Sequence, residues 1–304
     1  MSDASSAWVF PGQGSQEAGM GRDLFDAHAA ARELYERADV ILGRSISSLC
    51  FEGPDSELNK TFNSQPAIYL TSLACLAAAR ACGALSDDPA FVSGHSLGEY
   101  TALTAAGALD FEAGLRLVET RGRVTQAAAD ATPGAMAAIM GLDEAATEGV
   151  CRDAGAELCN INSSAQIVIG GTKESIARAC ALALERGAKR AIPLDVGGAF
   201  HTSLMASAVP EMEAAVTAAA IRSPRIPVVT NDTARSTTDA ATIRRELTFQ
   251  LAHPVRWVQC VEYMAAEGVT TFVEIGPGRV LSGLIKRIAP TAQTKNINGV
   301  GALT

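Results

Sequence analysis

The chain has 304 residues, 48% of them apolar, and a formal net charge of -8. This length suggests about two domains, or one large domain with an insertion, and the apolar content is enough for a sizeable core. An acidic surface repels the phosphates of nucleic acids, so nucleic-acid binding is not expected.

The location of the protein is predicted from its cysteines and its apolar segments. Seven cysteines without a CxxC motif predict free thiols in a reducing compartment. Met1 to Ser6 contains no basic region or long apolar run, so no signal peptide is expected. The most apolar stretch, Ala67 to Leu85, includes Arg80 and is typical of a buried helix rather than a membrane span. We therefore predict a cytoplasmic protein without a membrane segment.

The first part of the chain alternates short apolar runs with helical patterns. Strands are predicted at Ala7–Phe10 and Phe91–Ser93, and helices at Met20–Ile46, Gln65–Ala84, Glu99–Ala108 and Phe111–Ala129. Such alternation indicates the α/β class, with a parallel sheet that is covered on both faces. Further strands are predicted at Val228–Thr230 and Thr271–Ile275.

A different pattern follows Thr132-Pro133-Gly134. It predicts the order βαββαβ, which is the order of a ferredoxin-like unit. The strands are predicted at Met136–Met140, Leu158–Asn162, Gln166–Gly170 and Ala188–Leu194, and the helices at Asp143–Arg152 and Glu174–Glu185. In the second helix, Ile176, Cys180 and Leu184 share one face. We predict a small subdomain at residues 130–196, inserted into a large α/β domain made of residues 1–129 and 197–304.

Ser96 is the strongest candidate for a catalytic residue. It is the central serine of Gly94-x-Ser96-x-Gly98, which matches the nucleophile elbow, a strained turn between a strand and a helix. The motif is short, but it falls between a predicted strand and a predicted helix. An ordinary turn with a capping serine is the structural alternative.

A serine nucleophile needs a base, and the chain has four histidines. His95 adjoins Ser96, and neighbouring side chains in a tight turn usually point apart. His28 lies in a predicted exposed helix, and His253 precedes a proline and is a candidate turn residue. By position, His201 is the candidate base. A histidine bonded to backbone carbonyls is the structural alternative.

Arg121 occupies the apolar face of a predicted helix, together with Leu117 and Val124 at helical spacing. A buried guanidinium needs an acidic partner, because an unpaired buried charge is costly. The partner is either a carboxylate of the protein or the carboxylate of a substrate held bidentately. The pattern alone leaves both readings open.

Gly12 to Gln16 forms a glycine-rich turn after the first strand. Its spacing gives little support for a nucleotide site, and stabilisation of an oxyanion is the alternative use. Nowhere does the chain space His, Cys, Asp and Glu as metal ligands, so no metal is predicted.

Taken together, six ordered blocks make the whole chain resemble the malonyl-CoA:acyl carrier protein transacylases. They are Val9–Gln16, Gly94–Tyr100, Val118–Arg123, Ala199–His201, Gln250–Leu251 with Pro254–Trp257, and Glu274–Leu281. The resemblance implies a hydrolase-like parallel-sheet domain with a ferredoxin-like insert.

The same resemblance implies a role for each matched residue. Ser96 is implied as the acylated nucleophile and His201 as its general base, oriented by the backbone carbonyl of Gln250. Arg121 is implied to bind the malonyl carboxylate. The backbone N–H groups of Gln13 and Leu97 are implied to form the oxyanion hole.

The resemblance also implies the substrates and partners. Malonyl-CoA is the implied donor and acyl carrier protein the implied acceptor, with no cofactor beyond the phosphopantetheine that the carrier bears. Phe200, before His201, resembles the malonyl-selecting form of the family. Because carrier proteins of this type are acidic, docking needs a local basic patch, and Lys189-Arg190 and Lys286-Arg287 are candidates.

Three alternative functions stay open from the sequence. A serine hydrolase or thioesterase uses the same elbow, but it has no general need for a buried arginine. An acyltransferase that serves a polyketide synthase or a malonate decarboxylase has nearly the same residues. A non-catalytic interaction protein is disfavoured, because all the candidate site residues occur together.

Overall fold

The computed structural model describes residues 5–303, and within these residues it contains two β-sheets. The first part of the chain forms β1 (Ser5–Phe10), α1 (Arg22–Ala27), α2 (Ala29–Leu42), α3 (Ile46–Glu52), α4 (Asp55–Leu58), α5 (Thr61–Ala81), β2 (Phe91–Gly94), α6 (Gly98–Ala105) and α7 (Phe111–Ala131). The middle part forms β3 (Ala135–Met140), α8 (Glu144–Ala154), β4 (Glu157–Ser163), β5 (Gln166–Gly171), α9 (Lys173–Glu185) and β6 (Arg190–Pro193).

The last part of the chain returns to the first sheet. After a 3-10 helix at Ser203–Ala208 it forms α10 (Val209–Ala218), β7 (Val228–Val229), β8 (Ser236–Thr237), α11 (Ala240–Phe249), α12 (Trp257–Ala266), β9 (Val269–Ile275), α13 (Val280–Ile288) and β10 (Gln293–Ile297). Two more 3-10 helices lie at Gln250–Ala252 and Val300–Ala302.

The larger sheet has the strand order β10-β9-β1-β2-β7-β8, and all its pairs are parallel except β7 with β8. Along β1, Trp8 and Phe10 join the apolar cluster on one face, and Ala7 and Val9 join the cluster on the other. This alternation is the period of two expected for a strand covered on both sides. The predicted parallel sheet is confirmed.

The order of the strands brings two loops to one edge of this sheet. In the register of β1 and β2, Phe10 lies opposite Gly94, so both strands end at the same level. The loop that begins at Pro11 and the turn that contains Ser96 therefore meet. Ligands of open α/β sheets bind outside the carboxyl ends of the strands, and this edge is such a place.

The smaller sheet is antiparallel, with the order β4-β5-β3-β6 and two helices that pack on it. This is the ferredoxin-like arrangement, and the predicted βαββαβ order is confirmed. Asp143 caps α8 by accepting a hydrogen bond from the Ala146 N–H at 2.8 Å. In α9 the buried residues include Ile176, whereas Leu184 is 51% exposed. The buried face of α9 therefore differs from the predicted one: Ala179 and Ala183, rather than Leu184, pack against the sheet.

One prediction near the start of the chain was wrong, and one strand near its end was not predicted. The helix predicted over Met20–Ile46 is broken, because His28 is extended between α1 and α2, and Gly43 ends α2 at a φ of 63°. Strand β10 was missed, since its mixed sequence gives little apolar signal at the edge of the sheet.

Within residues 5–303, no helix combines the length and apolarity needed to cross a membrane. The predicted absence of a signal peptide concerns a segment whose first four residues lie outside the described ones.

Candidate active site

Ser96 lies in the turn between β2 and α6 and has a φ of 54°. A residue other than glycine at positive φ has a strained backbone, and such residues cluster at functional sites. The turn depends on its two glycines. A Cβ on Gly94 would lie 1.9 Å from the carbonyl carbon of Gly98, and one on Gly98 would lie 2.1 Å from the carbonyl oxygen of Phe10. Because these atoms belong to the backbone, no side chain fits without movement of the strand or the helix.

His201 is the second non-glycine residue of the site at positive φ, with a value of 62°. Its Nε2 lies 2.7 Å from Ser96 Oγ. Its Nδ1 lies 2.9 Å from the carbonyl oxygen of Gln250 and 3.1 Å from that of His253. Carbonyl oxygens only accept, so Nδ1 carries the proton and Nε2 is left to accept from the serine hydroxyl.

The surroundings of His201 keep its ring neutral. Burial lowers the pKa of His201 to about 3, and the positive charge of Arg121 acts in the same direction. At neutral pH the imidazole is therefore unprotonated, which is the form required of a general base.

Arg121 is buried on α7 beside Leu117 and Val124, as the helical spacing predicted. None of the ion pairs found in residues 5–303 includes it, so the reading in which a protein carboxylate neutralises it is not supported. Its Nη1 donates to Gln65 Oε1 at 2.8 Å, and its Nη2 donates to Ser96 Oγ at 3.0 Å. The guanidinium is thus held by neutral oxygens, and its charge is available to a ligand.

Gln250 contacts three of these groups at once. Its backbone oxygen accepts from His201, and its side-chain Oε1 accepts from Arg121 Nη2 at 3.0 Å. Its Nε2 donates to the backbone oxygen of Ser96 at 2.9 Å and also to Glu99 Oε2. The sequence predicted a role for the backbone carbonyl alone, and the contacts of the side chain were missed.

The backbone N–H groups of Gln13 and Leu97 lie on the two loops that meet at the edge of the sheet. The His95 N–H donates to the Phe10 oxygen at 3.0 Å, which ties the elbow to the end of β1. Among the described residues, neither the Gln13 N–H nor the Leu97 N–H donates to a protein acceptor. Both are therefore free to meet a developing negative charge.

A narrow cleft runs between the candidate residues. It has a cavity volume of about 10 Å³ and is lined by Gln13, Ser96, Arg121, Thr125, Phe200, His201 and Leu251. In the described part of the chain, no group of three or more His, Cys, Asp or Glu side chains is arranged to hold a metal ion.

Comparison with known proteins places the chain in a family. The model of the acyl transferase domain matches residues 7–303. A malonyl CoA-acyl carrier protein transacylase of Bacillus subtilis is 45% identical over 287 residues, which cover 93% of this chain and 90% of that protein. The chain belongs to the acyl transferase family.

Similar proteins include a relative from polyketide synthesis and proteins of known structure. A polyketide biosynthesis malonyl CoA-acyl carrier protein transacylase of Bacillus subtilis is 41% identical, with 94% of this chain and 98% of that protein covered. The crystal structure of an acyl carrier protein S-malonyltransferase from Vibrio cholerae superposes with a TM-score of 0.94 at 42% identity, covering 99% of both chains. A malonyl-transacylase in complex with its type II polyketide synthase carrier protein superposes with a TM-score of 0.93 at 39% identity, covering 99% and 98%.

The acyl transferase fold also brings residues to the site that the sequence did not single out. Asn231, after β7, accepts from the Ser96 N–H and donates to the Gly94 oxygen, both at 2.7 Å. Gln65, on α5, holds Arg121. The signal for Asn231 was its position after a predicted strand, but nothing in its neighbourhood indicated which loop it would meet.

The other histidines contact different parts of the structure. His95 points away from Ser96, and its Nε2 lies 2.8 Å from Asn162 Oδ1 on the smaller sheet. The side chain of His253 meets Asp232 at 3.1 Å. His28 is half-buried in the extended link between two helices. Of the four histidines, His201 is therefore the one placed against the serine.

Proposed function

We propose that this chain transfers a malonyl group from malonyl-CoA to the phosphopantetheine thiol of an acyl carrier protein, and that it feeds fatty-acid synthesis. The observation that carries the proposal is the buried guanidinium of Arg121, whose Nη2 lies 3.0 Å from Ser96 Oγ. In a malonyl thioester the carboxylate carbon and the thioester carbon are roughly 2.5 Å apart, from standard bond lengths. A carboxylate on Arg121 thus presents the thioester carbonyl to the serine.

The proposed reaction has two half-reactions on one serine. With the malonyl carboxylate on Arg121, His201 Nε2 takes the proton of Ser96 and Oγ attacks the thioester carbon. The N–H groups of Gln13 and Leu97 hold the tetrahedral oxyanion, each donor contributing about 3 kcal/mol in comparable sites. The C–S bond then breaks, and CoA leaves as a thiol with the proton from His201. The carrier thiol repeats these steps in reverse and restores the free serine.

No cofactor is part of this proposal. The hydroxyl, the imidazole and the guanidinium together supply the nucleophile, the base and the positive charge that transfer of an anionic acyl group requires. The phosphopantetheine belongs to the partner. The narrow cleft is consistent with transfer to a thiol in preference to hydrolysis by water. Membership of the acyl transferase family likewise favours transfer over the hydrolase alternative.

The proposal extends to the architecture and the location of the protein. We propose that residues 130–196 act as a subdomain beside a large domain formed by 1–129 and 197–304, with the cleft at the edge of the larger sheet. All seven cysteines are free in the structure, which supports a reducing compartment such as the cytoplasm. Supply of a polyketide synthase is a second candidate, favoured by the relative from polyketide synthesis.

The adduct with the serine tests the proposal most directly. The protein is incubated with malonyl-CoA and its intact mass is measured, with Ser96→Ala as the matched variant. We expect one malonyl adduct that is lost in Ser96→Ala and is discharged by a holo carrier protein. Release of free malonate without an adduct would contradict the proposal and favour a hydrolase.

The docking site that we propose for the carrier protein combines both basic pairs. Arg190 and Gln166 lie on either side of Met140 in neighbouring strands, and Arg287 Nη1 reaches Gln166 Oε1 at 3.4 Å. Lys189-Arg190 and Lys286-Arg287 thus meet at one end of the smaller sheet. All four side chains are exposed, and none belongs to an ion pair found in the described part of the chain.

Reversal of charge in this patch tests the docking site. We expect Lys286→Glu with Arg287→Glu to raise the KM for the carrier protein about fivefold or more, because the steering of an acidic partner is lost. Lys173→Glu, beyond the opposite end of the same sheet, is the control and should change little. Adduct formation from malonyl-CoA is measured in parallel. An unchanged KM in the double variant would exclude this patch.

A further inference from the structure

A buried carboxylate lies directly behind the candidate site, and the mechanism above does not use it. Glu99 stands in the first turn of α6, three residues after Ser96, and is 1% exposed. No ion pair detected within residues 5–303 includes it. A buried carboxyl group that forms no ion pair costs stability when it ionises, so an ion pair does not explain its position at the base of the elbow.

The contact of Glu99 is with the side-chain amide of Gln250. The amide is polar in two directions: its Nε2 faces Glu99 Oε2 and the Ser96 backbone oxygen, whereas its Oε1 faces Arg121 Nη2. Turned by 180°, the amide would set its NH2 against the guanidinium, donor against donor, and its oxygen against the Ser96 oxygen. Glu99 therefore adds a second acceptor that selects one orientation of the amide.

The orientation of this amide decides how Arg121 is held. Gln65 Oε1 binds Nη1 and Gln250 Oε1 binds Nη2, so two amide oxygens fix the plane of the guanidinium. Bidentate binding of a carboxylate depends on that plane. We propose that Glu99 is a positioning residue, which fixes the Gln250 amide and through it the guanidinium that receives the malonyl carboxylate. This inference rests on the function proposed above.

The charge state of Glu99 is compatible with this role. Burial and the nearby Glu246 together raise the pKa of Glu99 to about 8, although the hydrogen bonds from Gln250 and the Asn231 backbone and the charge of Arg121 lower it. A protonated carboxyl group still has one oxygen that accepts a hydrogen bond, so Glu99 can hold the amide in either state. When it is neutral, it also leaves the charge of Arg121 to the substrate. A glutamine at this position would keep the accepting oxygen, whereas a methionine of similar length would not.

The test compares Glu99→Gln with Glu99→Met, using malonyl-CoA and acetyl-CoA as donors. We expect Glu99→Met to lower kcat/KM for malonyl transfer at least tenfold more than for acetyl transfer, mainly through KM. Glu99→Gln should stay within about threefold of the wild type for both donors. Glu274→Gln, which alters a second buried carboxyl group that accepts from the Leu281 and Ser282 N–H groups and does not bond to Gln250, is the matched control and should leave the malonyl-to-acetyl ratio unchanged.

Either of two outcomes in the Glu99 variants would overturn the inference. In one, Glu99→Met and Glu99→Gln lose both activities equally; in the other, Glu99→Met keeps the ratio of the wild type. If Glu99→Met does not fold, Gln250→Met removes the amide itself and should produce the same selective loss of malonyl transfer; equal losses for both donors would again overturn it. A wild-type protein without a malonyl adduct would instead refute the proposed function.

Discussion

The turn that carries Ser96 and the loop that carries His201 both hold a non-glycine residue at positive φ, but they are stabilised in different ways. The turn is built from short-range contacts. Gly94 and Gly98 lie two residues on either side of Ser96, and their missing side chains let β2 and α6 approach each other. Asn231 adds the long-range part of its support.

The loop of His201 depends mainly on a distant segment. The His201 N–H donates to the Leu251 oxygen at 3.1 Å, and its ring donates to the backbone oxygens of Gln250 and His253. Within the loop, Thr202 Oγ1 donates to the Ala199 oxygen at 2.6 Å. The strained backbone at Ser96 is thus stabilised mainly by its neighbours in sequence. The strained backbone at His201 is stabilised by residues about fifty positions later.

A sequence motif can reveal one member of the proposed catalytic pair but not the other. Glycines at fixed spacing are a local requirement, so they leave a local pattern. Backbone carbonyls can be offered by any residue type, so a loop held by them leaves no pattern of its own. The two loops should therefore respond differently to substitution.

The largest effect is expected from Gly98→Ala. The added Cβ would lie 2.1 Å from the Phe10 oxygen, so the strand and the helix must separate and displace Ser96. A displacement of about 1 Å can cost about a hundredfold in rate, and we expect at least that loss of adduct formation. Gly283→Ala is the matched control, because its Cβ would meet nothing within 4 Å. Equal behaviour of the two variants would mean that the elbow does not depend on close approach.

A smaller effect is expected from Asn231→Ala. The substitution leaves the buried Ser96 N–H and Gly94 oxygen without partners, at a cost of about 1–3 kcal/mol in the free energy of unfolding. Adduct formation should fall by less than in Gly98→Ala, since the glycines remain. Denaturant unfolding and intact mass measure the two effects, with the exposed Asn59→Ala as control. Wild-type stability in Asn231→Ala would show that the elbow needs no distant support.

The smallest effect is expected from acidification between pH 7 and pH 5. A pKa of about 3 keeps His201 neutral over this range, so the rate of adduct formation should change less than twofold because of this residue. A histidine with the ordinary pKa of about 6.5 would lose roughly thirtyfold at pH 5. Rapid quenching followed by intact mass gives the profile, and a fall of that size would contradict the proposed environment of His201.

The same pKa shift predicts the pH dependence of stability. Because the pKa of His201 is lower in the folded state than in the unfolded state, the unfolded chain binds more protons between these two values. The contribution of His201 to stability is therefore complete above about pH 6.5 and is lost as the pH falls toward 3. Denaturant midpoints of the wild type and His201→Gln, measured from pH 7 to pH 4, should converge on acidification.

Much of the fold could be predicted because it rests on periodicity. The alternation of β1, the βαββαβ order and the apolar face of α7 are patterns within single elements, and the structure reproduces them. The prediction of one helix over Met20–Ile46 was wrong, because the helical pattern of the sequence continues across the two residues that end helices in the structure, the extended His28 and Gly43. Strand β10 was not predicted, because it is an edge strand with one buried residue and its sequence therefore contains few apolar residues.

The sequence by itself determined the elbow around Ser96 and the burial of Arg121, since both follow from sterics and spacing over a few residues. Only the tertiary structure decided that His201 lies 2.7 Å from Ser96 Oγ across 105 positions of the chain. It also decided which tautomer His201 adopts, that Asn231 supports the turn, and that Glu99 and Gln250 meet behind Arg121. The physical reason is that these contacts join distant segments, and no local pattern specifies which buried polar groups will satisfy one another.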